Sequence, residues 1–253
     1  MKKLNFYIWE GVFKNFKEAL KKKKGFGFSG NIWREDQTRI IKFCKQCIKK
    51  NKKIPNSFKK RNTELKLIIE NFLDKKRNLK ILDIGGGYGI AYYILREAFQ
   101  KKSINFDYTI LEIPKVCIYG KKLSPNIKFI KKIKNERYDL VYSSSTIQYF
   151  NNWKLEIKKL INIQPKFIFL TDIFAGKIPT FVSLQRYYDS TMPHWFINFD
   201  EFNEIFKNNG YKLKIKKKTI TTRLNYKNRL PMENFESKYI LNNTLTVLYE
   251  KQK

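Results

Sequence analysis

The run LKILDIGGGYGI, residues 79–90, constrains the fold more than any other stretch of the chain. Leu79 to Ile84 predict a short buried strand, and glycines at 85, 86, 87 and 89 predict a tight turn. The segment that follows, AYYILREAFQ, has helical spacing. A strand, a glycine turn and a helix in that order open a βαβ unit, which needs a parallel sheet with helices on its faces.

The rest of the chain repeats this alternation. FDYTILEI, IKFIKKI, YDLVYSS and KFIFLTDI read as further strands, separated by helical stretches PKVCIYGKK and NWKLEIKKLINI. A last helix, DEFNEIFKNNG, is expected to start at an N-cap Asp200 and stop at Gly210. YKLKIKKKTITT and TLTVLYEK have no helix between them and are expected to pair as an antiparallel hairpin. The fold class is therefore α/β, a seven-stranded, mostly parallel sheet closed by antiparallel strands. Residues 1–75 read as a helical extension or lid, with FKNFKEALKKKK and Glu35 to Lys50 joined by the loop GFGFSGNIW. Residues 76–253 form the main domain, with an insertion near 174–198 expected to cap its site.

The spacing of the glycines discriminates between ligands. A dinucleotide turn needs G-x-G-x-x-G, whereas here the series ends at Gly89 and position 90 is isoleucine. Asp83, two residues before the first glycine, would repel a pyrophosphate but suits an ammonium or hydroxyl group. These features favour S-adenosylmethionine, held by Asp83, Gly85, Gly86, Gly87 and Gly89. At the end of the second strand Glu112 is expected to accept hydrogen bonds from two ribose hydroxyls, with Ile113 lying on the adenine. After the third strand there is no Asp, only lysines, Asn135 and Glu136, so the contact to the adenine amino group is left unassigned.

In this motif, in Glu112 and in YDLVYSSSTIQYF as fourth-strand motif, the chain resembles the class I S-adenosylmethionine-dependent methyltransferases of Rossmann-like fold. It is further similar to a smaller family encoded in bacterial surface-polysaccharide loci, with a W-E-G-x-[FY] opening (Trp9, Glu10, Gly11, Phe13) and a Q-Y segment (Gln148, Tyr149). The block FIFLTDIFAGKIPTFVSLQRYYDSTMPHWF extends the likeness over nearly the whole chain. The resemblance implies methyl transfer from S-adenosylmethionine, with S-adenosylhomocysteine as product. The acceptor would be an oxygen or nitrogen of a sugar, sugar nucleotide or related small molecule.

An acceptor belongs beyond the carboxyl ends of the fourth and fifth strands. Those ends carry Ser144, Ser145, Gln148 and Tyr149, then Thr171 and Asp172. The insertion adds Gln185, Arg186, Tyr187, Tyr188, Asp189 and the single histidine, His194. Ser144 joins the cofactor set; Gln148, Tyr149, Arg186, Tyr187 and Tyr188 are the candidate acceptor contacts. His194 and Asp172 compete as general base, since a histidine titrates near neutrality and a carboxylate can also take a hydroxyl proton. Arg186 either clamps an anionic group or pairs with Asp189, and the tyrosines either stack on a sugar or belong to the core.

A net charge of +31 raises a nucleic-acid reading, but only nine of the 53 basic residues are arginines, and Asp-Pro-Pro-Tyr and Asn-Pro-Pro-Tyr motifs are absent. RNA methylation and a non-catalytic binding module stay as alternatives; DNA is not expected as a partner. The lysine excess is compatible with weak association with a membrane surface. The opening MKKLNFYIWEGVF lacks a signal-peptide pattern and three cysteines fit a reducing compartment, so a cytoplasmic protein is expected. Cys44 and Cys47 form CKQC on a helical stretch without the partners of a zinc or redox site, and no metal is expected.

Overall fold

A computed structural model describes residues 7–59, 62–73, 78–102, 104–219 and 229–252. In chain order the elements are β1 (Trp9–Phe13), α1 (Phe16–Leu20), α2 (Asn31–Lys49), α3 (Asn56–Lys59), α4 (Thr63–Ile68), β2 (Asn78–Ile84), α5 (Ile90–Ala98), β3 (Asn105–Leu111) and α6 (Pro114–Leu123). There follow β4 (Lys128–Ile130), β5 (Leu140–Ser144), α7 (Trp153–Asn162), β6 (Phe167–Ile173), β7 (Ala175–Gly176), β8 (Phe181–Tyr187), β9 (Ser190–Asn198), α8 (Phe199–Lys207), β10 (Tyr211–Lys218) and β11 (Leu245–Lys251).

The main sheet has seven strands in the order β10-β11-β6-β5-β2-β3-β4. The five central strands are parallel, and β11 runs antiparallel to both β6 and β10. Residues 220–222, expected to extend β10, lie outside the described residues. Successive side chains of β2 point to opposite faces. Ile81 joins Tyr108, Leu140 and Phe169 in one core, and Leu82 joins Val141, Ile168 and Leu170 in the other. Helices cover both cores, which is why these strands read as continuous apolar runs rather than as alternation. Strand order reverses between β2 and β5, and a crevice opens there beyond the carboxyl ends of the strands.

The N-terminal region differs from the expected helical extension. Trp9–Phe13 is a strand, and α1 has only five residues. Strand β1 pairs with β8 in a second sheet of order β1-β8-β9-β7, so the opening of the chain and the insertion after β6 form one body. Five residues with one buried side chain, Trp9, cannot advertise a strand when their partner lies far along the sequence. The loop predicted over GFGFSGNIW is shorter than expected, because α2 already begins at Asn31. The third-strand run forms only the three residues of β4. Helix α8 is capped by Asn198, whose side chain accepts from the amides of Asp200 and Glu201, rather than by Asp200.

Cys44 and Cys47 are free and buried on the inner face of α2, and burial pushes the Cys44 thiol up to about 11. A thiol so raised stays protonated and inert. Among the described residues no helix is long and apolar enough to cross a membrane.

Candidate active site

The turn after β2 is shaped by its neighbours as much as by its own glycines. A Cβ on Gly86 would stand 2.4 Å from Asp83 Oδ2, so the backbone can lie against that carboxylate only without a side chain. Gly87 sits at φ +58, a left-handed conformation that directs its N–H towards the end of β3. There the amide donates to Glu112 Oε1 at 3.1 Å, while the Ile113 amide donates to Oε2 at 2.9 Å. The two bonds hold the Glu112 carboxylate in one orientation and leave lone pairs on both oxygens for donors on a ligand.

Asp83 is buried beneath this turn and accepts from the Tyr108 hydroxyl at 2.7 Å. Burial pushes its carboxyl up to about 7; the Tyr108 hydrogen bond opposes that rise and the neighbouring Glu112 charge adds to it. A carboxyl balanced near neutrality in a cleft is ready to ionise when a cation arrives.

A cavity of about 870 Å³ opens over these groups. Asp83, Gly85 to Gly87, Glu112 and Ile113 form one wall, with Ser144, Ser145 and Thr146 from the end of β5 beside them. Phe28, Tyr149, Phe174, Gln185, Tyr187 and Tyr188 form the other end. Phe28 stands 5.0 Å from Tyr149 and 5.1 Å from Tyr187, ring centre to ring centre, and the Tyr149 hydroxyl donates to Gln185 Oε1 at 2.6 Å. Gly89 does not line the cavity; it starts α5 in a left-handed conformation. Beyond β4 the wall is Lys131, whereas Glu136 is tied to Lys128 at 3.0 Å and lies outside it.

Several candidates are placed differently from expectation. Gln148 is buried and turned away, its amide donating to Ser145 Oγ at 3.1 Å. Arg186 pairs with Glu10 at 2.5 Å and does not line the cavity. The pairing of β1 with β8 brings Glu10 beside it, and Asp189 instead accepts from Ser190 Oγ at 3.0 Å. Asp172 is buried at the end of β6 with φ +54, its amide donating to Thr219 Oγ1, and it does not line the cavity.

His194 does not line it either. Its ring lies behind two wall residues, 4.3 Å from Phe174 and 5.3 Å from Tyr149, with Trp9 and Phe196 closing the box. Among the described residues neither ring nitrogen has a hydrogen-bonding partner. Burial pulls its pKa down to about 3, too low for a base that must take a proton near neutrality.

Trp33, Gln37 and Ile40 of α2 also line the cavity, and the sequence reading missed them. Their i, i+4, i+7 spacing was legible, but it also fits a helix face packed on a core. Gln37 Oε1 lies 3.3 Å from where a Gly87 Cβ would stand, so α2 roofs the glycine turn.

The model of a family described as a methyltransferase domain matches residues 58–214, more than half of the chain. The chain belongs to that family. It is an S-adenosylmethionine-dependent methyltransferase of Rossmann-like fold. Two solved structures share the methyltransferase fold with TM-scores of 0.50. One is an S-adenosylmethionine-dependent methyltransferase from Clostridium acetobutylicum, 10% identical, matched over 78% of this chain and 92% of that one. The other is CalS10, an amino pentose methyltransferase from Micromonospora echinaspora, 9% identical over 77% and 92%. No curated protein matches this methyltransferase by sequence.

The residues present fit the cofactor of the family. The cavity volume lies within the roughly 300–1,000 Å³ usual for small-molecule sites. Its glycine wall admits close backbone approach, and its two carboxylates match a ligand with an ammonium and a diol. S-adenosylmethionine supplies a methyl group on a sulfonium, activated for in-line displacement.

Proposed function

We propose that this methyltransferase modifies an oxygen or nitrogen of a sugar, a sugar nucleotide or a related small molecule of surface-polysaccharide assembly. The observation that carries the reading is the aromatic end of the cavity. Phe28 meets Tyr149 edge to face and Tyr187 at a tilt, around a space bordered by Gln185. Such walls suit the apolar face of a sugar ring, and the amide suits its hydroxyls. The solved amino pentose methyltransferase of like fold acts on a sugar, which agrees with this reading.

In the same reading Asp83 receives the cofactor ammonium, Glu112 its ribose hydroxyls and Ile113 its adenine, with Gly85 to Gly87 and Ser144 against the rest. Tyr149, Tyr187 and Tyr188 contact the acceptor. Residues 1–75 serve as a lid through α2, and the insertion near 174–198 closes the acceptor end through β8 and β9. Mass spectrometry of the surface glycan with and without the gene should show the loss of one methyl mass. An unchanged glycan would exclude this acceptor.

Asp83 makes the cofactor interaction pH-dependent. Below about 7 its carboxyl is protonated in the free protein and must lose a proton to meet an ammonium. Affinity for S-adenosylhomocysteine should therefore rise with pH by up to about tenfold per unit below 7 and level off above it. Calorimetry at pH 6 in buffers of different ionisation enthalpy should detect the released proton, and Asp83→Asn should flatten the profile. A flat profile in the unaltered protein would remove Asp83 from this role.

A further inference from the structure

Next to residues that line the cavity, the chain carries a rim of exposed apolar side chains set among lysines. Phe26 is 75% exposed, the most exposed large apolar side chain among the described residues; Tyr188, in the cavity lining, and Ile32, next to Trp33 of that lining, are 53% and 50% exposed. Lys21 to Lys24 lead directly into Phe26 and are all exposed. The loop is held in place. Lys24 exchanges two bonds of 2.9 Å with Thr191, one from its amide to Thr191 Oγ1 and one from the Thr191 amide to its carbonyl. Gly27 donates its amide to Ser190 Oγ at 3.0 Å. Two residues past Phe26, Phe28 is already part of the cavity wall. Lys115 reaches across from α6 to the Ser29 carbonyl at 3.0 Å, adding its charge to the same rim.

We propose that this rim docks on the surface of an anionic membrane. Phe26 and Ile32 enter the boundary between headgroups and acyl chains, the lysines lie against lipid phosphates, and the cavity mouth faces the bilayer. Charge and apolar surface together select this partner. Lysines respond to the diffuse negative potential of a leaflet, which adds attraction for each one near the surface. Arg39, the arginine in the cavity lining, is paired with Asp36 at 2.8 Å, and Arg34 donates to the Tyr119 hydroxyl at 3.1 Å, so the unpaired charge beside the rim is carried mainly by lysine rather than by the residue suited to paired phosphate contacts. An aliphatic Ile32 beside an aromatic Phe26 suits an acyl boundary, whereas a single strand of nucleic acid would use stacking rings.

The test is co-sedimentation with vesicles of mixed phosphatidylcholine and phosphatidylglycerol, compared with pure phosphatidylcholine. The protein should bind the anionic vesicles and not the neutral ones. Phe26→Ser should lower the partition coefficient about tenfold by removing one buried ring. Lys21→Glu combined with Lys23→Glu should lower it by more than tenfold. All three side chains are exposed and outside the cavity lining, so thermal shifts with S-adenosylhomocysteine should match those of the unaltered protein. Equal binding to both vesicle types, or binding indifferent to Phe26→Ser, would overturn the proposal. Tighter binding to a single-stranded RNA homopolymer than to anionic vesicles would assign the lysines to nucleic acid instead. The readout uses no methyl acceptor, so it stands apart from the glycan experiment.

Discussion

Glu112→Ala is expected to weaken S-adenosylhomocysteine binding by about 10²–10⁴-fold, the loss of two hydrogen bonds to a charged group at roughly 1.5–3 kcal/mol each. The carboxylate bridges the amides of Gly87 and Ile113, so its removal also leaves the Gly87 N–H without that acceptor and loosens the turn. Glu112→Gln keeps one acceptor oxygen and should lose about tenfold. Isothermal titration of the three proteins measures the series. Because Glu112 is half-buried at the crevice rather than in a core, unfolding temperatures should change little. An alanine variant that binds as tightly as the unaltered protein would show that the ribose is held elsewhere.

His194→Leu is expected to leave methyl transfer within a few-fold of the unaltered protein, where loss of a general base would lower it by about 10²–10⁴-fold. Its larger effect should appear in acid. An unfolded histidine takes up a proton below about 6.5, whereas the ring in this fold stays neutral down to about 3. The unfolded chain therefore binds the proton first, and stability that is fully present above 6.5 is lost as the pH falls towards 3. Over that window the difference amounts to ~5 kcal/mol, an order-of-magnitude figure from about 1.4 kcal/mol per unit. Asp83 acts in the opposite direction, since its folded pKa of about 7 exceeds the ordinary 3.8, but it is common to both proteins and cancels in the comparison. Urea unfolding of both proteins across this pH range should give curves that diverge as the medium is acidified. Parallel curves would mean that the ring is reached by solvent.

At neutral pH the same substitution removes two nitrogens that lack partners among the described residues and fills the space with an apolar side chain of similar size. Burying such groups ordinarily costs about 1–3 kcal/mol, so a neutral or stabilising exchange is expected. The aromatic box gives this residue a packing role beside Tyr149 and Phe174, which do face the cavity.

Local chemistry made the cofactor half of the site legible. Asp83, the glycine turn and Glu112 lie at the ends of two adjacent parallel strands, and the pattern of apolar runs between helices already placed those ends together. The acceptor half was less legible. Arg186 lies on a strand whose partner is the opening of the chain, and nothing near it in the sequence announces Glu10. Position 194 carries a polar side chain in a strand of the insertion, and only the approach of Trp9 and Phe174 from outside that strand turns its surroundings apolar. Trp33 and Gln37 are legible as a helix face, but not as a roof over residues some fifty positions later.

The alternation of strands and helices, and the spacing that favours an adenosyl amino acid over a dinucleotide, were readable along the chain. These depend on neighbours a few residues apart and on backbone rules common to all chains. The folded chain alone reveals that strand order reverses between β2 and β5, that the opening strand pairs with the insertion, that α2 covers the glycine turn, and that the histidine stands behind the wall rather than in it. Burial, ring contacts and ion pairs between distant segments set those outcomes, and they arise when the chain closes on itself rather than from any local pattern.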